Sequence, residues 1–176
     1  MAIQQQIKYG IPASITLAQM ALESGHGYST LAAKYNNYFG VKAGSSWKGP
    51  TVMFKDDHNY PEPFRVYGSV EESVENHSKV LMASRYKSCY NYPSTDYKNW
   101  AREIKRNGYA SDGEYASKLI HFIKENKLHE YDQMALDQAR QQGLQIGYAK
   151  KILHRLFIRK PQTINLSSCK ETGHCL

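Results

Sequence analysis

The sequence has no apolar run near the ~18 residues that a membrane-spanning helix needs. It opens Met1-Ala2-Ile3-Gln4-Gln5-Gln6 and reaches Gly10-Ile11-Pro12 without a basic stretch followed by an apolar one, so no signal peptide is expected. Cysteine is scarce: Cys89, Cys169 and Cys175 are an odd number, two of them in the last eight residues, and no disulfide framework can be built from them. Cys169, His174 and Cys175 lack a second half-site at zinc-type spacing, which leaves a loose C-terminal end as the reading and no metal or cofactor expected. Charged residues, at 22%, are too few for a coiled coil or a disordered chain.

What remains is 176 residues with 41% hydrophobic content, enough for one domain with a real core plus an extension. Acids are outnumbered, 16 against 23 Lys and Arg, for a net charge of +7. That excess would ordinarily raise nucleic acid as a partner, but it is uneven. Residues 1–133 carry 16 basic against 14 acidic side chains, and residues 134–176 carry 7 against 2. The domain proper is therefore almost balanced, no nucleic-acid-reading motif is present, and no nucleic-acid partner is expected. Two units follow: a domain over residues 1–133 and a basic extension over 134–176, in which Ile152, Leu153, Leu156 and Phe157 alternate with Lys150, Lys151, Arg155, Arg159 and Lys160.

Periodicity places the elements. Pro12 to Glu23 reads as a buried helix, with Ile15, Leu17, Ala18, Ala21 and Leu22 at helical spacing and Gly25 as its stop. A short helical piece is expected over residues 28–35. From Val41 to Tyr67 the chain is rich in turn residues, and Thr51–Phe54 and Phe64–Tyr67 are expected to form a small hairpin lobe. Ser69-Val70-Glu71-Glu72 is a capping box that opens a helix through Val74, His77 and Leu81. Tyr97, Trp100 and Ile104 mark another that ends at Gly108, and Asp112 is expected to cap a last one bearing Tyr115, Leu119, Phe122 and Ile123. The predicted class is α+β, mainly helical, with a β-hairpin lobe forming one wall of a cleft.

Glu23 stands out chemically. A carboxyl at the C-terminal end of an apolar helix meets the negative end of the helix dipole and partial burial, and both favour its protonated form. Glycoside hydrolysis needs such an acid to protonate a leaving oxygen, and a second carboxylate on the opposite wall. The hairpin lobe offers Asp56, Asp57 and Glu62 for that role, with nothing in the spacing to choose among them. Tyrosine is abundant, 14 residues, with Tyr35, Tyr38, Tyr60, Tyr67, Tyr109, Tyr115 and also Trp47 in loops or near helix ends, where rings can stack on sugar faces.

These residues carry a resemblance. Tyr9-Gly10-Ile11-Pro12-Ala13-Ser14-Ile15-Thr16-Leu17-Ala18-Gln19 continuing to Leu22-Glu23-Ser24-Gly25-His26-Gly27 resembles the opening of the glucosaminidase domain of family 73 glycoside hydrolases, which include flagellar peptidoglycan hydrolases and autolysins. Four further stretches follow in order: Asn36-Asn37-Tyr38-Phe39-Gly40-Val41-Lys42, Trp47-Lys48-Gly49, Phe64-Arg65-Val66-Tyr67-Gly68-Ser69, and Asn107-Gly108-Tyr109-Ala110-Ser111-Asp112 to Tyr115-Ala116. The resemblance spans about residues 7–132. It implies a lysozyme-like fold and cleavage of the β-1,4 bond between N-acetylglucosamine and N-acetylmuramic acid in peptidoglycan glycan strands, hence action at the cell wall; a monomer is expected. It assigns the general acid to Glu23 and the active-site tyrosine to Tyr109, with Tyr115 as the alternative; substrate contacts are expected from Tyr38, Phe39, Trp47, Asp56, Tyr115 and Asn37, for the last of which an Asx-type turn is an equal alternative. Where the family commonly has Thr-x-Glu, this chain has Lys55-Asp56-Asp57-His58. Counting from Trp47 selects Asp57, and counting back from Phe64 selects Glu62. Without either, the substrate's 2-acetamido group would serve as internal nucleophile. Two other functions share these features: a lytic transglycosylase, which would leave a 1,6-anhydro sugar, and a wall-binding module without turnover.

Overall fold

The computed structural model describes residues 1–55 and 60–147, in which six α-helices surround a central seventh and a two-stranded antiparallel sheet stands to one side. This is the α+β plan expected from the sequence. The chain begins with helix α1 (Ala2–Tyr9), whose Ile3 and Ile7, one turn apart, pack with Ala135, Ala139 and Ile146. Gly10 ends it at φ +78, a left-handed conformation that costs glycine little.

Helix α2 (Ala13–Glu23) is the core of the molecule. Ile15 and Ala18 are fully buried among Trp100, Ala101 and Ile104 of α5 (Tyr97–Arg106) and Leu119 and Ile123 of α6 (Tyr115–Glu125). Its start has no side-chain cap of its own. The Ala13 N–H donates instead to Gln6 Oε1 (2.8 Å), and the Ser14 N–H and hydroxyl donate to the two oxygens of buried Asp132 (2.8 and 2.7 Å). The carboxylate thus serves as a cap supplied from across the fold. Burial pushes the Asp132 carboxyl up to about 6, against the pull of these bonds.

Helix α3 (Thr30–Tyr35) is capped by Ser29, whose hydroxyl accepts the Ala32 N–H. Strands β1 (Thr51–Lys55) and β2 (Pro61–Arg65) pair with Val52 opposite Phe64 and Phe54 opposite Glu62. The second strand begins earlier than the predicted Phe64 and takes in two prolines. Arg65, at the same parity, donates its N–H away from β1 to the Val41 carbonyl, and the Pro63 carbonyl accepts from Ala43 on that side too. Pro61 and Pro63 therefore lack a donor only where the ladder to β1 does not need one.

Helix α4 (Val70–Leu81) starts as the capping box implies, with Ser69 accepting the Glu72 N–H; the Glu72 carboxylate reaches back to the Gly68 N–H. A 3₁₀ segment over Ser84–Asn91 precedes α5, which Asp96 caps. Asp112, expected to cap α6, lies one step further out: it accepts the Glu114 N–H and pairs with Lys118, so it turns the chain into the helix from outside. Helix α7 (Glu130–Gln141) packs on α1 and α2, and the Gly147 N–H donates to the Ile7 carbonyl (2.8 Å). The domain boundary expected after residue 133 falls inside this helix, because Ala135 and Ala139 complete the small core around Ile7. The basic amphipathic stretch at 150–160, Cys169 and Cys175 lie outside the described residues.

Candidate active site

Helix α2 delivers Glu23 as its last residue, and the turn that follows lets the chain leave at once. Gly25, His26 and Gly27 all take positive φ (55, 58 and 90), and Ser24 stitches the turn by donating to the Met20 carbonyl and accepting the Gly27 N–H. The half-buried carboxyl of Glu23 accepts a hydrogen bond from the Tyr115 hydroxyl at Oε1 (2.5 Å). Burial pushes Glu23 above the usual carboxylate range, and the Tyr115 bond pulls the other way. The first cause is the larger, as the position of Glu23 in the sequence suggested.

Tyr115 is itself held. Gln19, one turn before Glu23 on α2, donates from Nε2 to the Tyr115 oxygen (2.9 Å), and Gln19 Oε1 lies 3.0 Å from His77 Nε2 of α4. The ring of Tyr109 stacks on Tyr115 with centroids 5.6 Å apart, and meets His77 edge-on at 6.2 Å. Burial first, then the neighbouring Glu23 carboxylate, raises the Tyr109 phenol well above its ordinary value. Glu23, Tyr109 and Tyr115 are thus one cluster, and the tyrosine in hydrogen-bond contact with Glu23 is Tyr115.

The other candidates are distributed differently. Asn37 is buried and its amide is fully engaged with backbone: it donates to the Val41 and Arg65 carbonyls (3.0 and 2.9 Å) and accepts the Val41 N–H (2.9 Å), which ties the hairpin to the end of α3. Phe39 is 4% exposed and lies flat on His77, with centroids 3.9 Å apart, so it belongs to the core under the cluster. Tyr38 lines a cavity of about 230 Å³ with Leu17, Met20, Ala21, Ser24 and His26. Trp47 sits on the hairpin lobe, its ring edge to face with Tyr67 and covered by the Arg65 guanidinium at 4.6 Å, which Asn76 holds in turn. Glu62 is on β2 and paired with Lys42. Asp56 and Asp57 lie outside the described residues.

Sequence reading missed Gln19 and His77. Both appeared only as positions on helices with apolar neighbours, yet a glutamine four residues before a candidate acid shares its face, and that spacing was the available signal. Among the described residues no group of three or more His, Cys, Asp or Glu could hold a metal ion, and no helix is long and apolar enough to cross a membrane.

The family model described as mannosyl-glycoprotein endo-β-N-acetylglucosaminidase matches residues 1–128. The chain belongs to this glucosaminidase family. Relatives agree. Exo-glucosaminidase LytG of Bacillus subtilis is 34% identical over 138 residues, which cover 72% of this chain and 48% of LytG. Peptidoglycan hydrolase FlgJ of Escherichia coli is 34% identical over 130 residues, covering 67% of this chain and 41% of FlgJ. The chain thus spans less than half the length of either relative. Among solved structures, a peptidoglycan hydrolase from Sphingomonas sp. A1 superposes with a TM-score of 0.62 at 32% identity, covering 76% of this chain and 86% of that one. The glucosaminidase fold seen here is accordingly lysozyme-like, as the motifs implied.

Proposed function

We propose that this glucosaminidase-family chain is a peptidoglycan hydrolase that cleaves the β-1,4 bond between N-acetylglucosamine and N-acetylmuramic acid within glycan strands, with Glu23 as general acid. The observation that carries the reading is the Glu23 carboxyl itself: half-buried at the end of α2, biased towards its protonated form, and held at one oxygen by Tyr115. In the reaction Glu23 gives its proton to the glycosidic oxygen as the bond to the anomeric carbon breaks, and water then completes the hydrolysis. Positive charge that develops on the sugar is met by a carboxylate of the hairpin lobe, Asp57 or Glu62, or by the substrate's own acetamido group. Tyr109, stacked on Tyr115 and next to Glu23, supports a role for its phenol at the reacting sugar, while Tyr38 and Trp47 offer rings for flanking sugars.

The similarity to cell-wall enzymes supports action at the wall on its glycan. Glu23→Gln is expected to abolish release of reducing ends from purified peptidoglycan while co-sedimentation with it persists. A variant as active as the parent would remove Glu23 from the mechanism. Mass spectrometry of the products should give reducing N-acetylglucosamine ends; 1,6-anhydro ends would make the chain a lytic transglycosylase instead. Asp57→Asn and Glu62→Gln, assayed side by side, are expected to differ, with a loss on the order of 100-fold in the one that serves. Full activity in both would assign the second role to the acetamido group.

A further inference from the structure

Three side chains from three helices form a line behind Glu23: His77 on α4, Gln19 on α2 and Tyr115 on α6. The links are 3.0, 2.9 and 2.5 Å, and His77, Gln19 and Tyr115 are all buried, at 0%, 0% and 6% exposure. A chain of hydrogen bonds like this can run in two directions. In one, His77 Nε2–H donates to Gln19 Oε1, the Gln19 amide N–H donates to the Tyr115 oxygen, and the Tyr115 hydroxyl donates to Glu23 Oε1. In the other, Glu23 is the donor at Oε1, every bond reverses, the Gln19 amide turns over, and His77 carries its proton on Nδ1.

The far end of the line decides between them. His77 Nδ1 is buried and has no hydrogen-bond partner among the described residues. Its ring lies between the Phe39 face and the Tyr109 edge. A bare ring nitrogen there loses only a weak acceptor contact, whereas an N–H would be an orphaned buried donor. Imidazolium would orphan the same donor and bury a charge, and burial drives the ring's ionisation down to about 3. His77 is therefore neutral with its proton on Nε2.

We infer that Gln19 and His77 are positioning residues that fix Tyr115 as a one-way donor to Glu23 Oε1, so that the proton Glu23 transfers is carried on Oε2. The line also tunes the acid. Donation from Gln19 polarises the Tyr115 hydroxyl and strengthens its bond to the carboxylate, which holds down a group that burial pushes up. Among the described residues, Tyr115 of α6 is the titratable group that acts on Glu23; Glu23 in turn acts on Tyr109 of the α5–α6 connection, around which stand Tyr67, Tyr86 and Arg85. None of them is altered in the variants below except Tyr115.

The inference rests on Glu23 as general acid, and the test separates the two. Gln19→Met keeps the side-chain length and removes both polar ends. It is expected to move the basic limb of the pH profile of kcat/KM upward by about half a unit, and Tyr115→Phe by about one unit. In the Tyr115→Phe background, Gln19→Met should add no shift. The same displacements should appear in a carbon-13 NMR titration of the Glu23 carboxyl, which needs no turnover. A loss of rate with the basic limb unmoved, or equal shifts with and without Tyr115, would make Gln19 a packing residue and overturn the inference while leaving Glu23 in place. Cleavage by Glu23→Gln would instead remove the reading beneath it. Should Gln19→Met not fold, nitrogen-15 NMR of the unaltered protein decides: His77 bare at Nδ1 and protonated at Nε2 between pH 5 and pH 8 is the expected result, and an Nδ1–H tautomer overturns it.

Discussion

At the scale of single residues, the same amino-acid types do opposite work according to what surrounds them. Two glutamates illustrate it. Glu23 meets one phenol and little water, so its proton is retained higher than usual; Glu62 meets the Lys42 ammonium at the protein's edge. His77 adds a pH dependence to the fold. Its folded ionisation is depressed to about 3 from the ordinary 6.5, so the unfolded chain binds a proton that the folded chain refuses. Its contribution to stability is complete above pH 6.5 and is lost as pH falls from there towards 3. Urea unfolding of His77→Phe and the parent across that range is expected to show a shallower pH slope in the variant; equal slopes would mean that His77 is not the group responsible. Glu23 was legible in the sequence because a carboxyl at the end of an apolar helix is already an anomaly. Its phenol partner was not, since nothing in the spacing of Tyr109 and Tyr115 tells which of two stacked rings turns its hydroxyl to an acid 92 positions away.

At the scale of elements, α2 depends on its neighbours for the start of its hydrogen-bond ladder. Asp132→Ala would leave the Ser14 N–H and hydroxyl without their acceptor inside the protein. The cost expected in thermal or urea unfolding is about 1–3 kcal/mol, and Asp132→Asn, which retains an acceptor, should cost less. A silent Asp132→Ala would mean water replaces the carboxylate at that helix end. The helices with long apolar stripes, α2, α4, α5 and α6, were readable from periodicity. Helices α1 and α7 were not, because each shows the core only two or three small or single apolar positions, Ile3 and Ile7 against Ala135 and Ala139. Strand β2 starts earlier than its periodicity suggests for a different reason: prolines at 61 and 63 argue against a central strand, but their nitrogens face away from β1.

At the scale of the whole molecule, Asn37 helps to fasten the hairpin wall to the helical body, beside Asn36, which donates to the Tyr67 carbonyl, and Asn76, which accepts from Arg65 and Tyr67. Asn37→Ala would strip partners from the Val41 N–H and the Val41 and Arg65 carbonyls. It is expected to lower thermal stability and to reduce glycan cleavage beyond what the stability loss explains, since two groups acting across a cleft need a fixed separation. Activity at the parent's level in the folded variant would show the wall to be held otherwise. Truncation tests the last described helix: a chain stopped after Gln133 should unfold at lower temperature than one stopped after Gly147, having lost Ala135, Ala139 and the bond from Gly147 to Ile7, and equal melting temperatures would mean that α7 adds nothing to the core. The sequence by itself determined the family, the central helix with its terminal glutamate, the capping box at Ser69 and the presence of a hairpin lobe, because each rests on residues a few positions apart. Only the tertiary structure decided which tyrosine binds Glu23, that Gln19 and His77 stand behind it, that Phe39 and Asn37 face inward, and that α7 closes the core. Those outcomes depend on contacts between helices far apart in the chain, where burial removes water as the competing partner and leaves each polar group with the one neighbour that packing brings within reach.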